Sequence, residues 1–294
     1  MNEQRNGGVG LLQMLIALGL IAVLMAILLP QLSNVASNKP GSLKSQTKDS
    51  QNLYGIMQGM ATLSGGGVNE MPLPSTLDRR HDTVPATPFA ARGGEDPGKD
   101  TSANFFSVLI YQRVVVPEQL VANGEPNFDI ERDRDYQYAG PNAAVNPNGA
   151  HWDPGFSADF NSAVGGNLSF AMQCLKNEDR YIPPSGRPMF SHRGPEITQA
   201  PTYSGGYVDW IAKDPASLTL DEQTGEWSGA IAYRDGHVDY EHNMHPLTYT
   251  TDSGATQLDL LFYDEFDDEE QINAFLGIFV EAGEERGDFF GVWD

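Results

Sequence analysis

The sequence predicts an α+β protein in which a long N-terminal transmembrane helix precedes a globular domain with an antiparallel β-sheet. Three observations lead to this prediction. Residues 9–29 form an uncharged apolar run, residues 42–63 continue with a helical spacing of apolar side chains, and Asp235-Gly236 marks a β-hairpin. The predicted organisation is a polar leader at residues 1–8, an N-terminal helical region at residues 9–63 and a globular α+β domain at residues 64–294.

The apolar run at residues 9–29 contains no charged side chain, and Gln13 is its only strongly polar one. As a helix it would be about 31 Å long, close to the hydrocarbon thickness of a bilayer. A cleaved secretory signal usually has a shorter apolar core, and a helix buried in a protein core usually keeps a polar stripe. The run therefore predicts one membrane span at about residues 9–29, in contact with membrane lipid.

Charge and cysteine content restrict the function of the remainder. The chain has 294 residues and a formal net charge of −22, and a field of this sign repels nucleic acid. Cys174 is the only cysteine, so no disulfide can form within the chain. Because Cys174 lies in an apolar run, we expect it to be buried. The sequence predicts an acidic body in an aqueous compartment, stabilised by core burial, with no nucleic-acid partner.

The polar leader ends in Gly8, the apolar run follows at once, and Pro30 comes just after it. This layout resembles the N-terminus of type IV prepilins and type II secretion pseudopilins. The resemblance implies that a prepilin peptidase removes residues 1–8 by cleavage between Gly8 and Val9 and methylates the new amino terminus at Val9. Pro30 is expected to kink the helix where the apolar run ends.

The same resemblance implies partners and a location. The partners would be the prepilin peptidase, other pilin or pseudopilin subunits and the assembly machinery. The chain would be a single-pass inner (cytoplasmic) membrane protein, with its globular domain periplasmic or extracellular. Its function would be that of a minor component of a type IV pilus or type II secretion filament.

Two positions depart from the pilin pattern. The first mature residue is Val9 where the family usually has Phe, and the fifth is Gln13 where it usually has Glu. In a filament that glutamate is thought to neutralise the terminal ammonium of a neighbouring subunit, and an unpaired buried cation is costly. Gln13 offers only a dipole. It fits a minor or tip subunit, and it equally fits neutral drift in a chain that needs only an anchor.

Beyond the apolar run, the pattern predicts several elements of the body. Residues 42–63 should form a helix that lies across a sheet, as the corresponding half-helix does in pilins. Residues 102–112 should form a second helix capped by Ser102, and residues 167–175 a buried strand. Residues 68–100 and 123–166 look irregular. A C-terminal amphipathic helix is predicted from the spacing of Ile272, Phe275, Leu276, Phe279 and Val280.

The hairpin at Asp235-Gly236 is the clearest local signal, because both positions of a two-residue turn favour positive φ. A two-residue turn would pair Tyr233 with Val238 and give the hairpin one apolar and one polar face. Trp227 shares the parity of Tyr233, so its side chain should face the core.

This hairpin and residues 49–60 resemble a second group, the H-X9-DG prepilin-processing-associated family. The family name implies a histidine ten positions before the aspartate of the turn. Gly225 occupies that position here, so the histidine of the motif is missing while the hairpin part is intact. The resemblance implies a location and an assembly class more than an activity.

The sequence establishes no cofactor, but two polar clusters are candidates for metal binding, one for calcium and one for zinc. Acidic side chains recur at every second position in residues 129–135, and hard oxygen ligands of this kind favour calcium. A second cluster, at the end of the hairpin, offers zinc-type ligands. The alternative for that cluster is a solvated polar face. The candidate ligands are Glu131, Asp133 and Asp135 for calcium, and His237, Asp239, His242 and His245 for zinc.

Catalytic motifs are missing from the sequence. It has no GxSxG nucleophile motif, and no Walker or dinucleotide-binding glycine motif. We therefore expect no enzyme, with a metal-dependent hydrolase at residues 237–245 as a remaining rival. The other alternative to a filament subunit is a membrane-tethered extracytoplasmic module that binds a glycan, metal or protein and does not polymerise.

Overall fold

In a computed structural model, the chain forms a body of mostly antiparallel β-sheet between residues 43 and 293. Helices cover part of this sheet, and long irregular segments join them to it. The residues that the structure describes are 43–64, 71–91, 94–175, 186–204, 207–212, 227–265 and 273–293.

The predicted fold class is wrong in its defining element, the long N-terminal transmembrane helix. Across the described residues, no helix is both long enough and apolar enough to cross a membrane. The segment on which the prediction rested, residues 9–29, lies outside the described residues, as do Gly8, Val9, Gln13 and Pro30. The predicted single-pass membrane localisation is corrected together with the helix, because no spanning helix supports it.

The first described element is helix α1, Leu43–Leu63. Its buried apolar side chains recur at three- and four-residue steps, as the sequence predicts: Leu53, Ile56, Met57 and Met60. They belong to the same core as the sheet. Helix α1 packs on the strands that form the Asp235-Gly236 hairpin, so the predicted position of this helix across a sheet is confirmed.

Two further α-helices follow, α2 at Pro74–Leu77 and α3 at Ser102–Tyr111. The N-cap of α3 is Thr101, whose hydroxyl accepts a hydrogen bond from the Asn104 backbone N–H; the predicted cap, Ser102, is buried as the first helical residue instead. The irregular segment before α3 is held by buried charge. The ammonium of Lys99 lies 2.8 Å from Asp78 Oδ2, and both side chains are inaccessible to solvent.

Within the described residues, ten strands form three antiparallel sheets. The main sheet has six strands in the order β10-β9-β1-β2-β5-β6, and the hairpins β3–β4 and β7–β8 stand beside it. The strands are β1 Phe170–Gln173, β2 Pro188–His192, β3 Ile197–Ser204, β4 Tyr207–Ala212, β5 Gly229–Tyr233, β6 Val238–Glu241, β7 Leu247–Thr250, β8 Thr256–Asp259, β9 Leu276–Glu281 and β10 Phe290–Val292.

The buried strand predicted at residues 167–175 is confirmed as β1, a central strand that is buried along its whole length. Cys174 follows it directly and is buried, as expected. Trp227 is also buried. Strand β5 is buried at every position, because helix α1 covers it and neighbouring strands flank it. The prediction that one face of the hairpin lies in solvent is therefore wrong for β5, whereas β6 is partly exposed.

The β5–β6 hairpin forms at Asp235-Gly236, but its predicted register is wrong by one residue. Val238 pairs with Ala232 instead of Tyr233. The Tyr233 N–H donates to the His237 carbonyl and the Gly236 N–H donates to the Tyr233 carbonyl, so the loop has three residues. Gly236 has φ +92°, the left-handed conformation that such a loop needs at its last position.

The predicted C-terminal amphipathic helix is wrong. Leu276, Phe279 and Val280 lie on strand β9, which pairs with β1 on one side and β10 on the other. Ile272 lies outside the described residues. The first four positions of β9 are all buried, so their apolar side chains cover both faces of the sheet. A short apolar run of this kind fits a buried strand as well as a helix face, and only the long-range pairing decides between them.

Candidate functional site

The junction between helix α1 and the body contains a buried acid on the core-facing side of the helix. Asp49 is 2% exposed. Its Oδ2 accepts a hydrogen bond from the Ser45 hydroxyl at 2.9 Å and lies 3.3 Å from His192 Nε2. Its Oδ1 accepts from the Asn123 backbone N–H at 2.7 Å. One carboxylate therefore ties α1 to the end of β2 and to the segment after α3.

The tautomer of His192 follows from its other ring nitrogen. The Ala230 backbone N–H donates to His192 Nδ1 at 2.9 Å, so Nδ1 is an acceptor and the ring proton lies on Nε2, facing Asp49. The Ser45 hydroxyl contacts Asp49 and the Asn123 carbonyl. Because His192 has no free acceptor to offer Ser45, these three residues cannot act as a nucleophile–base–acid triad. Their arrangement is structural.

A buried ion pair lies next to Asp49 and His192. Arg193 and Glu125 form two parallel hydrogen bonds of 2.6 Å each, the bidentate geometry that makes such pairs strong. The Ser169 hydroxyl also donates to Glu125, at 2.5 Å, and the Arg193 carbonyl accepts from the Trp227 indole at 3.0 Å. Segment 122–125 contacts both Asp49 and Arg193, so the Asp49–His192 contact and the Arg193–Glu125 ion pair form one continuous polar junction.

We call this set of buried side chains the helix–body junction. It takes its members from α1, from the irregular segment after α3, and from β1 and β2. Sequence reasoning missed it, although polar residues four apart on the core side of an apolar helix were a visible signal. The members are Ser45, Asp49, Glu125, Ser169, His192 and Arg193.

A third polar cluster surrounds Glu265, which is 4% exposed. Its carboxyl group is contacted by the Tyr203 hydroxyl at 2.5 Å, the Asn273 amide at 2.7 Å and the Leu260 N–H at 3.1 Å. Burial and the nearby carboxylate of Asp259 raise the pKa of Glu265 to about 8, after the lowering effect of these hydrogen bonds is included. Glu265 is therefore protonated at neutral pH. It is closed off from solvent and offers no access to a substrate.

The predicted zinc ligands of the hairpin do not come together. His237 lies beside Asp235, and its Nε2 is 3.6 Å from Asp239 Oδ2, while its ring stacks on Tyr233. His242 packs on Tyr240 instead. In the part of the chain that the structure describes, no three His, Cys, Asp or Glu side chains are placed to hold a metal ion. For His245 the structure gives only a backbone hydrogen bond to Asn243.

The predicted calcium ligands lie together on the surface but do not converge. Glu131, Asp133 and Asp135 line an open cleft of about 370 Å³. Asp133 accepts a hydrogen bond from the Asp135 backbone N–H at 3.0 Å, so part of its capacity is used within its own turn. We name this feature the loop cleft; it is formed by residues 128–135 on one side and 163–167 on the other.

Comparisons with known proteins place this chain in no family. No family model, no curated protein and no solved structure matches it. Its resemblance to pilin-like proteins therefore rests on the sequence motifs, and its function has to be argued from the motifs together with the geometry of the helix–body junction and the loop cleft.

Proposed function

We propose that this chain is a pilin-like subunit, a minor component of a type IV pilus or type II secretion filament. The observation that supports this proposal most directly is the position of helix α1. It follows the apolar N-terminal segment in the sequence, and it packs on β5 and β6 of the main sheet. This is the arrangement that the resemblance to pilins implies for the half-helix and the sheet.

The helix–body junction supports the same proposal on mechanical grounds. In a filament whose subunits associate through their N-terminal segments, any force on the body must pass through the contacts of α1. Those contacts combine apolar packing with the Asp49–His192 pair. Separating α1 from the body would leave Asp49 without these buried hydrogen-bond partners, and an unsatisfied buried group of this kind costs about 1–3 kcal/mol, so the junction resists the separation.

The residues at the predicted mature amino terminus indicate whether the subunit is a major or a minor component of the filament. Processing by a prepilin peptidase would leave Val9 as the first residue and Gln13 as the fifth. Without a carboxylate at this position, the terminal ammonium of a neighbouring subunit is left unneutralised in apolar surroundings, which is costly. A subunit of this kind joins a filament of other subunits more readily than it stacks on itself. Gln13→Glu should therefore increase its incorporation into filaments.

Substitution at the cleavage site tests the proposal. Gly8→Leu should block processing, because the peptidase must fit the residue before the cut, and the product should run larger on a gel by the mass of the leader. Gly7→Leu is the matched control and should leave processing unchanged. If the Gly8→Leu chain is processed like the wild type, the cleavage site is wrong and the pilin-like proposal loses its basis.

A second candidate function is that of a binding domain that captures a partner protein without polymerising. The loop cleft favours it, because it exposes apolar side chains in a framework that does not need them for its own core. Cross-linking distinguishes the two functions. A filament subunit gives cross-links between N-terminal segments of neighbouring subunits, whereas a binding domain gives none.

A further inference from the structure

The loop cleft carries the two most exposed large apolar side chains among the described residues. Phe128 is 95% exposed and Val164 is 87% exposed, whereas the next most exposed, such as Phe290, reach 59%. They belong to the two different segments that line the cleft. Single exposed apolar residues are ordinary on a protein surface, but a concentration of the extreme cases at one cleft marks a candidate interaction site.

A hydrogen-bonded framework fixes the two segments that carry these side chains. The Gly166 N–H donates to the Asp129 carbonyl at 2.8 Å, and the Glu131 N–H donates back to the Gly166 carbonyl at 2.9 Å. The Asn167 side-chain amide donates to the Glu131 carbonyl at 2.9 Å. Gly165 has φ +74°, and a Cβ there would lie 2.7 Å from the Asp129 carbonyl oxygen. The cleft is therefore preorganised, which lowers the entropic cost of binding.

The charges of the loop cleft are unbalanced. Two arginines, Arg132 and Arg134, line the cleft together with four carboxylates. Arg132 forms its ion pair with Glu118, which lies outside the cleft. The four carboxylates of the cleft form no ion pair among the described residues. Burial raises the pKa of Asp133, the backbone N–H of Asp135 lowers it, and the carboxylates of Asp135 and Asp153 raise it further. The four are Asp129, Glu131, Asp133 and Asp135.

From these observations we propose that the loop cleft binds a partner-protein segment that presents a cationic side chain next to an apolar one. The apolar side chain would lie between Phe128 and Val164, and the cation would face the unpaired carboxylates. A second copy of the chain is a poorer occupant, because it carries the same net charge of −22. This inference names the ligand class of the second candidate function, and it also holds if the chain assembles as a pilin-like subunit.

A bare metal ion fits the loop cleft less well than a cationic side chain. The predicted calcium ligands do not form a group of three around one point within the described residues. An arginine or lysine needs no closed coordination shell, because it can donate to carboxylates spread along a cleft. The exposed apolar side chains also have no role in holding a metal ion, but they do have one in holding a peptide.

The experiment uses the purified full chain and a short capped peptide of alternating arginine and leucine, measured by titration calorimetry. Two peptides of equal length are matched controls: one replaces arginine with glutamate, and the other replaces leucine with serine. We expect the arginine–leucine peptide alone to bind at one site, with a dissociation constant below about 1 mM. No binding above that strength would overturn the proposal.

Variants locate the binding to the loop cleft. Phe128→Ser and the pair Asp129→Asn with Glu131→Gln should each weaken binding at least about tenfold, since anchor residues dominate small interfaces. Phe290→Ser and Asp252→Asn, at exposed positions elsewhere, should leave it unchanged. Equal effects of the two sets would show unspecific attraction and refute the proposal. Circular dichroism checks that each variant is folded. We expect all of them to fold, because the substituted side chains are exposed.

Two other outcomes would assign the cleft differently and also overturn the proposal. If calcium alone displaces the peptide and binds with a fixed stoichiometry that Asp133→Asn abolishes, the cleft is a metal site. Alternatively, sedimentation could show self-association of the full chain that Phe128→Ser abolishes, which would make a second copy the occupant.

Discussion

The helix–body junction and the loop cleft are built from the same types of side chain and differ in how completely those side chains are paired. At the junction, Glu125 forms a bidentate pair with Arg193. Asp49 makes three polar contacts there. At the cleft, Asp129 and Glu131 face solvent without a cation. The difference separates roles: charge that is buried and paired holds the fold together, whereas charge that is exposed and unpaired is available to a partner.

The junction should dominate the stability of the body. Arg193→Met leaves Glu125 buried and unpaired, which should lower the free energy of unfolding by about 3–5 kcal/mol. Arg132→Met removes an exposed pair with Glu118 and should cost less than about 1 kcal/mol. Urea unfolding followed by circular dichroism measures both. If both variants lose the same free energy of unfolding, the ion pair of the junction stabilises the fold no more than the exposed pair of Arg132 does, and the comparison fails.

Glu265 sharpens the comparison, because it is a buried acid without a paired cation among the described residues. Its pKa is about 8, against 4.5 for an ordinary glutamate. The folded state holds the proton while the unfolded state releases it, so stability falls as pH rises between these values. From about pH 5 to about pH 7.5 this single group should lower the free energy of unfolding by about 3 kcal/mol.

Glu265→Gln should remove that part of the pH dependence, because glutamine is neutral throughout and can still accept hydrogen bonds. The measurement is urea unfolding of both proteins across the same pH range. Glu281→Gln, at an exposed position of β9, is the control and should keep the wild-type profile. Identical profiles for wild type and Glu265→Gln would contradict the protonated state of this residue.

Asp49 should have a smaller effect, because its neighbours can keep part of their hydrogen bonding. Asp49→Asn replaces one carboxylate oxygen, which accepts hydrogen bonds, with an amide N–H₂, which can only donate. The new N–H₂ group would therefore face the donors that the oxygen had accepted from. The loss of a buried acceptor should cost about 1–3 kcal/mol. Asp252→Asn, at an exposed turn, should change stability by less than about 0.5 kcal/mol. A stable Asp49→Asn protein would show that apolar packing alone fixes α1.

The smallest effect belongs to the cleft. Phe128→Ser should change the free energy of unfolding by less than about 0.5 kcal/mol, because the Phe128 side chain remains almost fully exposed in the folded protein. Thermal unfolding of the variant checks this. A clear destabilisation would mean that Phe128 supports the fold, and its exposure would then no longer indicate a binding surface.

Local patterns allowed part of the fold to be predicted. The spacing of Ile56, Met57 and Met60 identified helix α1, and Asp235-Gly236 identified the β5–β6 hairpin. The error in register came from the loop, because two- and three-residue loops share the same Asp-Gly signal and only the hydrogen bonds of Tyr233 separate them. Strand β9 was missed because the apolar residues in and before it also repeat at helical steps, and only the pairing with β1 identifies it as a strand.

The sites were less predictable than the fold. Glu131, Asp133 and Asp135 were selected as a cation site from their spacing, and they do line a cleft, but their side chains do not converge. The junction was missed because Asp49 and His192 meet only after the chain folds. Spacing in a sequence identifies partners within one element, whereas partners from distant segments require the topology.

Mass spectrometry of the N-terminus of the native protein tests the proposed function most directly. We expect a chain that begins with N-methylated Val9, because cleavage after Gly8 and methylation of the new terminus are what a prepilin peptidase would produce. A native chain that still begins at Met1 would contradict processing by that peptidase, and with it the assignment as a pilin-like subunit.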